Sequence, residues 1–88
     1  MTEQAQEREI GKITHYFPKI SVGIIELTGP LKVGDTVHVF GATCNFNQTV
    51  GSMQIEHQQV QQAKVGDVIG IKVDQRVHEG DKVFLVGG

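Results

Sequence analysis

The 88-residue chain carries eight basic and ten acidic side chains, a formal net charge of −2, so it has no global positive field with which to gather nucleic acid by counterion release. A chain this short buries roughly two-thirds or less of its unfolded surface, so it makes one domain in which every strand serves a single core. Cys44 is the only cysteine, which excludes an internal disulfide and a zinc-thiolate cluster and predicts a small half-buried thiol in a reducing, cytoplasmic setting.

Residues 1–9 are polar and charge-rich, without apolar periodicity, and are expected to form a flexible leader ahead of one folded domain over residues 10–88. The amino terminus lacks the basic-then-apolar order of a signal peptide, and no stretch reaches the ~20 apolar residues that span a bilayer, so no membrane association is expected. From Ile10 the pattern changes. Ile13, His15 and Phe17 alternate with Lys12, Thr14 and Tyr16, the period-2 signature of a half-buried strand that puts Phe17 inward with Ile13, and Pro18 ends it. Ile20 to Leu27 forms a second strand, whose apolar residues switch phase around Gly23 and imply a bulge or burial on both faces. Thr28-Gly29-Pro30 is a turn, and Thr36 to Phe40 is the third strand.

Gly41 to Asn47 is expected to be a loop in which Phe46 is the exception among small and turn-forming residues. Gln48 to His57 is expected to be one long strand with a bulge at Gly51. The three-residue spacing of Val60 and Ala63 suits a helical turn better than a strand, although the glutamines around them fit either. Val68 to Val73 and Lys82 to Val86 complete the set. Six or seven short strands, eleven glycines and no long amphipathic run predict an all-β fold, a small closed or nearly closed antiparallel β-barrel.

A Gly-Asp pair precedes three of these strands, at Gly34-Asp35, Gly66-Asp67 and Gly80-Asp81. Glycine supplies a positive φ and the aspartate accepts backbone N–H groups, so the three carboxylates belong to turns rather than to a metal or acid–base site. In order and spacing, Leu31-Lys32-Val33-Gly34-Asp35-Thr36-Val37, Gln48-Thr49-Val50-Gly51-Ser52-Met53-Gln54-Ile55-Glu56 and the segment from Ala63 to Ile71 resemble the second domain of the translation GTPases, the β-barrel of elongation factor Tu and its relatives. The resemblance covers about Ile10 to Val86. It implies a noncatalytic module that contacts RNA, as tRNA or ribosomal RNA, or a translation-related protein. Gln54 falls where the tRNA-carrying members place an acid, and Lys12, Lys19, Lys32, Lys64 and Lys72 are the cations available to RNA. No Gly-x-x-x-x-Gly-Lys-Ser/Thr loop is present, so no GTP binding is expected.

The candidate binding rim is the aromatic and basic cluster His15, Tyr16, Phe17 and Lys19, joined by Phe46, Gln54 and His57; rings at a rim can stack bases. The four histidines lack metal-ligand spacing, and Ser21 and Ser52 lack a nucleophile-elbow frame, so no metal, cofactor or catalytic residue is expected. Two alternatives accompany this reading. One is an accessory subunit that contacts another protein, or a second copy of itself, without nucleic acid. The other is a sulfur carrier using its Gly87-Gly88 end, which resembles the tail of ubiquitin-like carriers.

Overall fold

The computed structural model describes residues 7–42 and 44–86. Most of the expected leader and the Gly87-Gly88 end lie outside them. Ten strands are formed: β1 (Arg8–Phe17), β2 (Val22–Leu27), β3 (Leu31–Lys32), β4 (Thr36–Phe40), β5 (Asn45–Thr49), β6 (Met53–Ile55), β7 (Gln58–Val60), β8 (Gln62–Ala63), β9 (Val68–Lys72) and β10 (Lys82–Val86). No helix occurs among the described residues, and every strand pair is antiparallel. β1 starts at Arg8, two residues ahead of the expected Ile10, because Arg8 and Glu9 pair with Leu85 and Phe84 of β10.

The three Gly-Asp turns are built alike. Gly34, Gly66 and Gly80 have φ values of 99°, 93° and 93°, the left-handed region that a type II turn requires at its third position. In each, the aspartate N–H donates to the carbonyl three residues back, at Lys32, Lys64 and His78, over 3.1, 3.0 and 3.1 Å. The carboxylate then accepts the N–H of that same residue, over 3.0, 2.9 and 2.8 Å. Backbone and side chain therefore close the same ring twice, and β4, β9 and β10 each leave from it.

Eight strands form one sheet in the order β5-β4-β10-β1-β2-β9-β6-β7, and β3 pairs with β8 in a separate ribbon. β5 and β7 are edges, so the sheet is not closed into the expected barrel, and the expected six or seven strands are ten. The sheet nevertheless curls, because Val50 to Ser52 carry the chain directly from the edge strand β5 to β6 at the far side. Main-chain pairing is replaced there by one side chain. Gln48 is buried at 6% exposure, donates from Nε2 to the Lys72 carbonyl over 2.8 Å and accepts the Asp74 N–H at Oε1 over 2.8 Å. A side-chain amide that mimics one rung leaves no continuous ladder between the two ends of the sheet. Ile10, Ile13, Ile25, Leu27, Val37, Val39, Met53 and Ile69 fill the interior of the curl.

Several local expectations change for physical reasons. A register shift between Ile13 and His15 in the pairing of β1 with β2 adds a residue and reverses the side-chain phase. Tyr16 consequently packs against the core, and Phe17 is 42% exposed rather than inward. β2 itself pairs with β9 in unbroken register, so its phase switch is burial on both faces, with Ile25 and Leu27 inside and Val22 and Ile24 half-buried outside. Phe46 lies on a strand, not a loop, and is buried at 8% exposure. The expected long strand from Gln48 to His57 breaks at Val50–Ser52 and again at Glu56-His57, whose φ values of 50° and 68° form a two-residue hairpin turn between β6 and β7. Positive φ at both central positions matches the right-handed twist of the flanking strands. Residues 58–63 are strands β7 and β8, since Gln58 and Val60 find partners in Ile55 and Met53 and Ala63 pairs with Leu31.

The seam is directly testable. Replacing Gln48 with alanine removes the partners of the Lys72 carbonyl and the Asp74 N–H, and should lower unfolding stability by about 2 kcal/mol, read by urea denaturation at an unchanged m-value. Gln48→Glu should recover little of this, because it keeps the acceptor and loses the donor.

Candidate functional site

The structure does not gather the expected rim residues in one place. His15 and Phe17 stack with ring centroids 4.8 Å apart at 55°, at the end of β1 where the exposed Pro18, Lys19 and Ile20 turn the chain. Tyr16 is half-buried against the core and Phe46 is inside it. Gln54 is exposed on β6, three strands away from β1, or on the order of 14 Å across the sheet. His57 is exposed in the turn that closes that strand pair, three residues from Gln54. Glu79, which the sequence reading passed over, joins the first cluster instead: its carboxylate lies 3.4 Å from His15 Nδ1, with the two side chains 67% and 55% exposed. A contact so open to water contributes little. The third Gly-Asp turn brings it there, since Ile13 N donates to the Asp81 carbonyl over 2.7 Å and Gly80 N donates to the Ile13 carbonyl over 2.8 Å.

A cleft lies elsewhere. It measures about 720 Å³ and opens where the β3–β8 ribbon meets the end of β10. Lys32, Asp35, Lys64 and Asp67 line it together with the apolar Leu31, Ala63, Leu85 and Val86. The chain repeats Lys-Val-Gly-Asp at 32–35 and 64–67, and the antiparallel pairing of Leu31 with Ala63 relates the two copies by a local two-fold. That repeat was the legible signal. The expectation treated both lysines only as cations available to RNA, because the pairing of the two copies cannot be read along the chain.

Two polar clusters lie outside the cleft. On the outer surface of β4, His38 Nδ1 sits 2.8 Å from Glu7 Oε1, and its Nε2 meets Asn45 Oδ1. The Glu7 hydrogen bond first, and then that to Asn45, hold its pKa above the ordinary imidazole value of about 6.5, because only the imidazolium donates from both nitrogens. Phe40 and Phe84 flank the ring, each with its centroid 6.0 Å away. Near the start of β10, Asp81 is buried at 5% exposure and accepts from the His78 N–H and from Cys44 Sγ, both over 2.8 Å. Gly41 is dictated by this carboxylate, since a Cβ there would lie 1.9 Å from Asp81 Oδ1. Burial first, and then Asp81, push the Cys44 thiol up to about 11, so it stays protonated and unreactive at neutral pH. The thiol is half-buried, as its composition predicted. Among the described residues no group of three or more His, Cys, Asp or Glu side chains is arranged to hold a metal ion, and no helix is long and apolar enough to cross a membrane.

No family model matches the sequence. Over 79 residues the chain is 43% identical to an uncharacterized protease of Methanocaldococcus jannaschii, a match that takes in 89% of this chain and 19% of that protein. It is also 32% identical over 81 residues to a collagenase of Porphyromonas gingivalis, covering 90% of this chain and 22% of the relative. The chain thus spans about a fifth of the length of the curated relatives it matches. Two crystal structures of the C-terminal domain of a Geobacillus thermoleovorans protein assigned to the U32 peptidases superpose with TM-scores of 0.83 and 0.82 at 19% identity. Each superposition covers 86% of this chain, and they cover 96% and 89% of the domain. The chain has that domain's fold.

This overturns the resemblance to translation GTPase domain II and, with it, the expectation of an RNA-binding or translation-related module; the sulfur-carrier alternative falls as well. The misleading motifs have a physical explanation. Lys-Val-Gly-Asp is a doubly closed turn that any antiparallel sheet can use, and Ser52 to Glu56 covers a sheet corner and half of a hairpin turn rather than one recognition strand.

Raising the pH should release His38. The stabilising contribution of the Glu7 contact is complete below about pH 6.5 and is lost as pH rises through the elevated folded value, so Glu7→Gln should lower the imidazole midpoint in an NMR titration. For Cys44, alkylation by iodoacetamide at pH 8 should run on the order of a hundredfold slower than for free cysteine, and should rise to the free rate on unfolding in urea.

Proposed function

We propose that the chain is the noncatalytic β-domain of a peptidase-type protein, a module that contacts polypeptide and leaves bond cleavage to other parts. The observation that carries this reading is the reach of the similarity: about nine-tenths of the chain matches about one-fifth of proteins named protease and collagenase. The chemistry of the described residues supports it. A cysteine nucleophile needs a thiolate, and Cys44 is held protonated by burial and by a buried carboxylate. A serine nucleophile needs a base within hydrogen-bond reach, and among the described residues neither Ser21 nor Ser52 hydrogen-bonds a histidine. The structure instead offers an open cleft lined by charged and apolar side chains and an edge strand, β7, with no second main-chain partner in the sheet, both suited to holding extended chain.

Labelled casein and denatured collagen incubated with the purified chain at pH 5 to 9 should release no peptide above buffer. Release that copurifies with the chain and disappears when it is unfolded would overturn the reading.

A further inference from the structure

We propose that His38 is a proton-operated clasp that holds the segment entering β1 across β10 to the edge strand β5. Sheet order makes this a long reach. β10 lies between β1 and β4, so the backbones of those two strands run on the order of 10 Å apart. Glu9 is level with Phe84, and Phe84 with His38. Glu7, two residues before Glu9, sends its carboxylate over β10 to His38 Nδ1, 2.8 Å away. On the other side of the ring Nε2 meets Asn45 Oδ1 on β5, the strand next to β4. One imidazole therefore ties the entry to the first strand to an edge of the sheet. Phe84 beside it on β10 and Phe40 two residues along β4 each place a ring centroid 6.0 Å away and fix where the imidazole lies.

A carboxylate and an amide oxygen both accept, so the clasp closes only when both ring nitrogens carry hydrogen, as they do in the imidazolium. Removing that proton leaves one nitrogen as a bare acceptor and takes the charge from the bond to Glu7. Among the described residues the Glu7 carboxylate has no other hydrogen-bond or ion-pair partner, and the ladder with β10 starts only at Arg8. The contact is also shielded: the His38 and Glu7 side chains are 18% and 32% exposed, against 55% and 67% for His15 and Glu79. The other charged side chains on the outer face of these strands are Glu9 and Lys12 of β1 and Lys82 of β10. β5 brings only Asn45, Asn47 and Thr49, which do not titrate. Among the described residues His38 forms an ion pair with Glu7 and with none of these others. The hydrogen bonds to Glu7 and then Asn45 raise the folded imidazole above its ordinary value of about 6.5, so the clasp is closed below about pH 6.5 and opens as pH rises through the folded midpoint.

Relaxation of the 15N-labelled chain between pH 6 and pH 9 tests the clasp. Backbone order parameters of Glu7 and Arg8 should be about 0.8 at pH 6 and fall below about 0.6 at pH 9, with the same midpoint as the His38 imidazole titration. In His38→Gln, whose side chain does not titrate, they should be equal at both pH values, whereas His15→Gln should keep the parent's step. The clasp is overturned by order parameters that do not change with pH in the parent, or by a step that survives in His38→Gln. A step whose midpoint departs from that of His38 by more than about half a pH unit overturns it equally.

Discussion

Three strands of this fold leave from a turn that is closed twice. At Asp35, Asp67 and Asp81 the main-chain N–H and the side-chain carboxylate bind the carbonyl and the N–H of one residue, three positions earlier. A carboxylate bond to N–H is stronger than a neutral one, and closing the ring with both groups removes freedom that a flexible hairpin would keep. The direction in which β4, β9 and β10 depart is set there. So are the positions of the two lysines beside the cleft and of the buried Asp81 carboxylate. Asp81 shows how far the consequence extends: its place in the turn dictates a glycine at position 41 and holds the Cys44 thiol protonated.

The second constraint is how a strongly curled sheet ends. β5 and β7 both keep an open edge, and the approach of β5 to β9 is carried by the two hydrogen bonds of Gln48. A main-chain ladder would demand matched register over several residues, whereas a side-chain amide needs only one donor and one acceptor in place. The curl is thus kept without full closure. Neither β5 nor β7 has a second main-chain partner in the sheet.

The sites divide by how local their causes are. The Gly-Asp turns and the half-buried Cys44 follow from neighbouring residues, and the sequence shows them. The position of Phe17 follows from an extra residue in a register that β2 imposes on β1, and that of Phe46 from pairing with Val39 across the sheet. Neither is written in its own neighbourhood. The resemblance to translation factors failed for a related reason, since repeated turn chemistry reports how strands begin and says nothing of what their far faces meet.

Taken alone, the sequence determined an all-β antiparallel chain, with its glycine turns, most of its strands and a core of isoleucine and valine, because backbone propensity and period-2 alternation act over a few residues. Tertiary structure decided the rest: an open sheet rather than a barrel, which side chains share a surface, and the pairing of two distant Lys-Val-Gly-Asp segments about one cleft. Those outcomes depend on register between strands tens of residues apart. A shift of one residue in that register exchanges the inner and outer faces, and only contacts formed across the whole core select among the alternatives.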